Sequence, residues 1–332
     1  MKYHVGMYGG SFNPMHNGHM ECILKAASMC EKLYVVISYR AGNDIDVKVK
    51  YRWVYTLTEH IGNVKILLLE DTLKTKAEYT EQYWQADCRK IRAAIGEKID
   101  VVFCGSDYDE NSFWNVCYPE SELYIFERDG ISSTAIRENI YAHWDWLPLF
   151  VRPYYVKKVL IIGSESCGKS VLTVNLAHHY HTNFLEEVGR DLSELSGTCE
   201  MMLPEDYTRI LLEHKAKEMR LIQHSNKVLI EDTDCLITRF FMDFLENGSD
   251  ENSVLAESIA ALNHYDLILH AEPDVAWVQD GDRSSEIAEN RQLYSDRIER
   301  LYERFGFRCV RISGSYAERY EKAVALIDAL FE

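Results

Sequence analysis

The segment from Val156 to Tyr180, VKKVLIIGSESCGKSVLTVNLAHHY, constrains the fold more than any other stretch of the chain. An apolar run of strand length ends on Gly163, and a run with helical spacing opens at Gly168. Between them, residues 163–170 satisfy G-x-x-x-x-G-K-[ST], in the strand-to-helix context that this motif requires. Gly163 and Gly168 let the backbone curl its N–H groups around phosphate oxygens, and the helix that follows adds the positive end of its dipole. Lys169 is placed to reach β- and γ-phosphates and Ser170 to ligate Mg²⁺. Ser164, Glu165, Ser166 and Cys167 complete the loop around the expected nucleoside triphosphate. Tight packing alone explains glycines in such a turn, but not a lysine followed by a serine.

Short apolar strands alternate with helices on both sides of this segment, which predicts parallel sheets covered on both faces. N-terminal to it, strands are expected at 2–10, 33–38, 64–70, 99–105 and 121–127. Helices are expected at 18–33, 52–61 and 79–95, with a loop running into a helix over 131–144. C-terminal to it, strands are expected at 156–163, 182–187, 226–232, 265–271 and 307–313, with a long helical region to about 225 and a final helix. The stretch HWDWLPLFVRPYYV, residues 143–156, fits neither period. At 332 residues the chain is long enough for two cores. We therefore expect an α/β protein of two parallel-sheet domains, 1–145 and 146–332.

The chain carries 53 acidic and 36 basic residues, a formal charge of −17, which opposes extended contact with a nucleic-acid backbone. Neither a membrane-spanning run nor a secretory leader is read from the sequence, so a cytoplasmic protein is expected, with no membrane partner. Nine cysteines without a C-x-x-C pair predict buried free thiols rather than disulfides or a zinc site. Partners are expected to be small molecules, and a homo-oligomer is compatible with the sequence.

In KVLIEDTD an apolar strand delivers Glu231, Asp232 and Asp234 at the carboxyl edge of a sheet, where parallel sheets bind ligands. Asp232 is the expected Mg²⁺ partner of Ser170. Phosphoryl transfer to a small acceptor needs a group to take the hydroxyl proton and cations to offset moving charge. Glu186, Glu187 and Arg190 in FLEEVGRD follow a strand and could hold such an acceptor. Arg283, Arg291 and Arg297 lie in a polar segment suited to a lid.

Near the N-terminus, GGSFNPMHNGHM (residues 9–20) lacks the lysine-serine pair of the first motif and the spaced glycines of a dinucleotide fingerprint. It places His16 and His19 three residues apart at the start of a helix, on one face and beside the positive dipole end. Two imidazoles there make a phosphate clamp; further ligands for a metal are not evident. In GISSTAIREN, Ser132, Ser133 and Thr134 precede Arg137 by one turn. Capping needs one hydroxyl; three and an arginine suit another part of a polyphosphate. Gly105 and Asp107 in FCGSDY end the fourth strand near the same edge. Trp53 or Trp114 could stack on an aromatic ring or simply pack in the core.

GSFNPMHNGH together with ISSTAIRE resembles the nucleotidyltransferase superfamily with its H-x-G-H and I-S-S-T signatures. Joined to a P-loop kinase segment, the chain is similar to the bifunctional nicotinamide-nucleotide adenylyltransferases and ribosylnicotinamide kinases of the NadR type. YRWVY, WDWLPLFVRPYYVKKVLIIG, EEVGRD, EDTDCLITRFF and WVQDGDRS look like segments of that family too. The resemblance implies an N-terminal Rossmann-like nucleotidyltransferase domain and a C-terminal P-loop kinase domain. The kinase would phosphorylate nicotinamide riboside with ATP held on Gly163 to Ser170 and by Arg283. Lys169 and Asp232 would be catalytic, Mg²⁺ would sit on Ser170 and Asp232, and the riboside would lie against Glu186, Glu187, Arg190, Asp232, Trp277 and Asp280. The N-terminal domain would then let the mononucleotide phosphate attack the α-phosphorus of a second ATP, giving NAD and pyrophosphate. That ATP would lie against Gly9, Gly10, Ser11, Phe12, His16, His19, Gly105, Asp107, Ile131, Ser132, Ser133, Thr134 and Arg137. His16, His19 and Arg137 would offset charge on the leaving phosphates.

Two departures are evident. The family often carries an N-terminal helix-turn-helix repressor domain, whereas the first strand here is read from residue 2, so regulation by DNA binding is not implied. The loop SYRAGNDIDVKVKYRW is shorter than the family's, so acceptor selection at that loop does not carry over. Two alternatives stand beside this reading: a fusion acting on another phosphorylated metabolite, and a nucleotide-sensing protein that binds without turnover.

Overall fold

Apolar strands without polar alternation need cover on both faces, and each half of the chain meets that need with a five-stranded parallel sheet. The computed structural model describes residues 2–332 except 41, 43, 44, 73–77, 79, 106–115, 128, 129 and 280–282. The chain separates into two units, Met1–Val151 and Arg152–Glu332. The division thus falls inside the aromatic stretch 143–156, after Val151 rather than after residue 145 as expected. Among the described residues no helix is long and apolar enough to cross a membrane. All nine cysteines are free, and seven are buried.

In the first unit β1 (Tyr3–Gly10), α1 (Asn17–Met29), β2 (Cys30–Tyr39), α2 (Val47–Thr58), β3 (Val64–Glu70), α3 (Glu81–Ile95), β4 (Val101–Gly105), β5 (Glu122–Phe126) and α4 (Ser133–Glu138) follow in order. The sheet runs β3-β2-β1-β4-β5. The direction of strand addition reverses at β1, so the loop after β1 opens at the switch point where such sheets bind ligands. On one face Val5, Met7, Val36 and Val102 pack against Cys88, Ile91 and Ile95 of α3; burying each such aliphatic chain contributes about 1.5–3 kcal/mol.

Two expected spans change. The helix expected to reach residue 33 stops at Met29, because Cys30 is extended (φ −115°, ψ 150°) and pairs with Tyr3, claiming 30–33 for β2. The helix expected over 131–144 is only six residues long, because Asn139 is extended and turns its side chain to accept from the Ala142 N–H at 2.8 Å.

In the second unit β6 (Lys157–Ile162), α5 (Lys169–Tyr180), β7 (Phe184–Leu185), α6 (Val188–Ser196), α7 (Pro204–Leu221), β8 (Val228–Asp232), α8 (Cys235–Leu245), α9 (Asp250–Leu262), β9 (Leu267–Ala271), α10 (Ser285–Glu289), α11 (Arg291–Arg304), β10 (Val310–Ile312) and α12 (Tyr316–Asp328) follow. The sheet runs β10-β9-β6-β8-β7, so β6 again stands at a reversal. Period-two alternation sorts its faces. Leu160 and Ile162 join a core with Leu192, Ile210, Leu211 and Leu236 of α6, α7 and α8. Val159 and Ile161 join Leu172 and Leu176 of α5 and Ala323 and Ile327 of α12. The long helical region expected before residue 225 is broken at Gly197 (φ 92°), and α7 starts anew with Pro204 in its first turn.

Candidate active sites

At the carboxyl end of β6, Gly163 (φ 146°) and Gly168 (φ 84°) bound the loop that the motif predicted. A Cβ on Gly163 would stand 2.6 Å from the Ala271 carbonyl oxygen, and one on Gly168 would stand 2.7 Å from the Tyr316 ring. Both positions therefore require glycine, on conformation and on space. Three cations take carbonyls of the loop between them. Lys169 Nζ donates to Ser164 O at 3.0 Å, Arg291 Nη2 to Ser166 O at 3.2 Å, and Arg319 Nη1 to Cys167 O at 2.6 Å. With those carbonyls drawn away, the loop's N–H groups are left for an incoming anion.

Arg319 is 2% exposed and also donates to the carbonyls of Gly314 and Glu272 and pairs with Asp274. Nothing in the local sequence marks it, 152 residues beyond its loop partner. Arg291 was expected in a lid; instead it opens α11 and anchors the loop, also donating to Val275 O at 2.6 Å. Arg283 donates to the Ser166 hydroxyl at 3.0 Å, whereas Arg297 packs over Tyr294. Glu165 accepts from the Ser284 N–H at 2.9 Å, and burial pushes its carboxyl up to about 7 against the pull of that N–H, Lys169 and Arg283.

Of the three carboxylates delivered by β8, only Asp232 faces the loop. Successive residues of a strand point to opposite faces, so Asp232 shares the α5 side with Val228 and Ile230 while Glu231 turns to the other. Asp232 is 2% exposed, its carboxyl accepts from Ser170, and its Oδ1 has no hydrogen-bond partner in the structure. Burial, and then Glu187, raise its pKa, while Lys169, Ser170 and Arg190 pull it down. Burial alone would lower Lys169, but Cys167, Asp232, Glu187 and Glu165 outweigh it and hold the ammonium above its ordinary value. Among the described residues no group of three or more His, Cys, Asp or Glu could hold a metal. The Ser170–Asp232 pair, with one open carboxylate oxygen, still suits Mg²⁺, which keeps waters and phosphate oxygens and needs few protein ligands.

Asp234, expected beside Asp232, is instead the N-cap of α8. It accepts from Leu236 N at 2.9 Å and from the hydroxyls of Tyr265, at 3.0 Å, and Tyr302. Glu231 is fully buried with neither carboxylate oxygen hydrogen-bonded, and burial, then Glu218, push its carboxyl well above the usual range. A neutral acid favours the folded state. That contribution is complete below the ordinary carboxylate range and is lost as pH rises through the raised value. Glu231→Gln is therefore expected to raise the melting temperature at pH 8 by about 5 °C, on the order of 2 kcal/mol, and to leave it nearly unchanged at pH 4. Thermal melts of both proteins at the two pH values check this; an equal shift at both would contradict it.

The loop continues into a cavity of about 510 Å³. Glu187, Arg190 and Ser193 line it from the β7 connection and α6, Tyr207, Ile210 and His214 from α7, and Ile237 and Phe241 from α8. Arg190 lies 3.5 Å from Glu187. Glu186 is exposed and does not line the cavity. Trp277 also stands outside the lining, packed against the core with Arg283 and Arg291 over its ring at 6.0 and 5.6 Å. Asp280 lies outside the described residues. The α7 wall escaped sequence reasoning, although 207, 210 and 214 share one helical face.

At the carboxyl end of β1, Gly9 and Gly10 pair with Val36 and Ile37 of β2, Ser11 is exposed and Phe12 (φ 47°) is fully buried. His16 is the N-cap of α1: its Nδ1 accepts from the His19 N–H at 3.4 Å. With Nδ1 accepting, the neutral ring carries its proton on Nε2, which is then a donor. The rings of His16 and His19 stack at 3.7 Å, and Phe12 meets His19 edge-on at 5.0 Å. The two side chains are 1% and 7% exposed.

Segment 131–137 closes on this loop. Ser133 Oγ donates to Pro14 O at 3.1 Å and Arg137 Nη1 to Asn13 O at 2.5 Å, joining positions 119 and 124 residues apart. Ser132 caps α4 by accepting from Ala135 N at 3.2 Å, and Thr134 accepts from Arg137 at 3.1 Å. All three hydroxyls thus hold structure as well as standing beside the histidine loop, so the excess over capping is smaller than expected. Ile131 is half-buried; Gly105 ends β4, two residues past the Tyr8–Phe103 pair and level with the end of β1. Trp53 is 5% exposed and packs as core. Asp107 and Trp114 lie outside the described residues.

A cytidylyltransferase-like family model matches residues 7–139 and an AAA domain model residues 158–319. The trifunctional NAD biosynthesis/regulator protein NadR of Escherichia coli strain K12 is 26% identical over 340 residues, covering 97% of this chain and 82% of that protein. Its Salmonella typhimurium counterpart matches with the same identity and coverage. Phosphopantetheine adenylyltransferase of Mycoplasma capricolum is 28% identical over 36% of this chain and 97% of its own length. A crystal structure of NadR with NR shares the fold at a TM-score of 0.78 and 22% identity, covering all of this chain and 96% of that one. A NadR structure with NAD and AMP-PNP does so at 0.78 and 21%, covering 99% and 96%.

Proposed function

We propose, with the chain's homology to NadR along nearly its whole length as the premise, that it is a bifunctional enzyme of NAD salvage. The second unit phosphorylates nicotinamide riboside to the mononucleotide, and the first transfers an adenylyl group from ATP to that mononucleotide, releasing pyrophosphate. One observation carries the reading. A single chain holds two strand-to-helix loops suited to cradle an anion, each at the carboxyl edge and reversal point of its own parallel sheet. One is lined by Lys169, Ser170 and Asp232, the other by His16, His19 and segment 131–137.

In the kinase the loop N–H groups hold the triphosphate, and Lys169 exchanges the Ser164 carbonyl for phosphate oxygens. Ser170 and Asp232 would hold Mg²⁺, which when bound neutralises charge on the β- and γ-phosphates. Of the carboxylates around Lys169, Asp232 and Glu187 are the ones assigned to orient the 5′-hydroxyl and take its proton, because Glu165 is engaged by the Ser284 N–H. Arg190 stands beside Glu187 to offset charge on the moving group. In the adenylyltransferase the mononucleotide phosphate attacks the α-phosphorus directly. His16 Nε2–H and His19 face the leaving pyrophosphate, and Arg137 fixes the loop that presents them. The chemistry is positioning and electrostatic stabilisation.

Incubating the protein with nicotinamide riboside, ATP and Mg²⁺ is expected to yield mononucleotide and then NAD by mass. Formation of neither product overturns the proposal. NAD from supplied mononucleotide, with no riboside phosphorylation, would leave only the first unit's assignment.

Arg319 supplies a narrower test. Its guanidinium holds the Cys167 carbonyl out of the phosphate cradle. Losing a charged hydrogen bond of about 1.5–3 kcal/mol should raise KM for ATP in the kinase reaction by about ten- to a hundredfold. Arg319→Met is expected to do this while NAD formation from mononucleotide keeps its rate. Steady-state kinetics of the two half-reactions decide it.

A further inference from the structure

Besides its two glycines, the phosphate loop has a third residue with positive φ, Ser166 (φ 56°). A side chain is strained in that left-handed region, whereas glycine is not. The pattern G-x-x-x-x-G-K-[ST] leaves this position open, so the turn itself does not call for a serine. Its hydrogen bonds supply the reason. The hydroxyl accepts from the Val278 N–H at 2.8 Å and from Arg283 Nη1 at 3.0 Å, and it donates to the Val278 carbonyl at 3.3 Å. One proton and two lone pairs are the whole capacity of a hydroxyl. Here all of it goes to partners 112 and 117 residues away. The Ser166 carbonyl is taken from the same direction, by Arg291 at 3.2 Å.

We propose that Ser166 is a positioning residue for phosphoryl transfer: its hydroxyl seats Arg283 on the phosphate loop, where the guanidinium offsets charge on the group being transferred. This rests on the riboside phosphorylation proposed above. Arg283 lines the cavity together with Lys169, Glu165 and Ser166. Its Nη1 also donates to the Val278 carbonyl, so hydroxyl, carbonyl and guanidinium bond to one another in a closed ring. The Trp277 ring lies 6.0 Å from the same guanidinium.

A long arginine side chain loses rotamer freedom when it is fixed, and a cation already in place needs no reorganisation as charge moves. A seat on the loop itself puts that cation in the same frame as the phosphates the loop would hold. Lys169 is tied to Ser164 O on the same loop, so two cations are referred to one stretch of backbone. A second tie lies next to Arg283, where the Ser284 N–H donates to Glu165 at 2.9 Å. Removing the hydroxyl therefore loosens Arg283 without releasing its segment. If Ser166 served the turn alone, glycine would serve it as well or better.

The test is kcat of the full-length protein for mononucleotide formation from nicotinamide riboside, with saturating ATP and Mg²⁺, together with a melting curve of each variant. Ser166→Gly relieves the backbone strain, so its melting temperature should stay within about 2 °C of the wild type or rise, while kcat falls about tenfold. Ser166→Ala keeps the strain and lacks the hydroxyl; it should melt lower and lose as much kcat. Arg283→Met should lose about a hundredfold, and the double variant Ser166→Gly, Arg283→Met should be no slower than Arg283→Met alone, because a seat without its occupant does nothing. Wild-type kcat in Ser166→Gly, or losses that multiply to about a thousandfold in the double variant, overturns the proposal and leaves riboside phosphorylation standing. So does a loss in Ser166→Gly that Ser166→Ala does not share, or a Ser166→Gly protein that melts more than about 5 °C low, since backbone rather than hydroxyl would then be at work. A wild type that does not phosphorylate the riboside overturns the kinase reading itself.

Discussion

Lys169→Ala is expected to reduce mononucleotide formation from nicotinamide riboside by about three orders of magnitude and to leave NAD formation from supplied mononucleotide unchanged. The ammonium is held charged between Asp232, Glu187 and Glu165, against the burial that would discharge it. Its present partner, the Ser164 carbonyl, belongs to the loop that would cradle the triphosphate. Truncation removes a buried cation positioned to follow charge onto the transferring phosphoryl group. The lost term is therefore larger in the transition state than in the bound ground state, and kcat falls more than KM rises. Separate assays of the two half-reactions check this. A variant that phosphorylates the riboside at the wild-type rate removes the P-loop from the mechanism.

His19→Ala should do the converse, slowing adenylyl transfer by about a hundred- to a thousandfold while riboside phosphorylation continues. His19 is the cleaner of the two histidines to remove. His16 accepts from the first turn of α1 through Nδ1, so His16→Ala would also cost the helix its cap, about 1 kcal/mol. His19 makes no cap, although its ring packs between His16 and Phe12, so a melting curve of the variant accompanies the kinetics. Equal loss of both products would mean that the two reactions share a site.

What could be read from the chain in advance was whatever is encoded locally. Both candidate phosphate-binding loops lie between a strand and a helix, so Gly163 to Ser170 and His16 to His19 carry their own context. The alternation of apolar strands with helices announced the two parallel sheets for the same reason. Pairing partners decided what was misjudged. Residues 30–33 have helical neighbours, yet Cys30 pairs with Tyr3, a partner 27 positions away. The trio Glu231, Asp232 and Asp234 looked like one cluster. Strand alternation separates the first two, and the cap of α8 takes the third. That much was recoverable from period two. The anchoring roles of Arg319 and Arg291 were not, because a side chain that reaches a loop from another element leaves no spacing to recognise.

The proposed activity requires two ATP sites that work independently in one chain. The direct measurement mixes Lys169→Ala with His19→Ala, each expected alone to carry nicotinamide riboside through to NAD at least about a hundredfold more slowly than the wild type, and follows NAD by mass with ATP and Mg²⁺ present. The His19 variant should release mononucleotide that the Lys169 variant converts, so the mixture makes NAD far faster than either protein alone. Mononucleotide accumulating without NAD, or no mononucleotide at all, would contradict it.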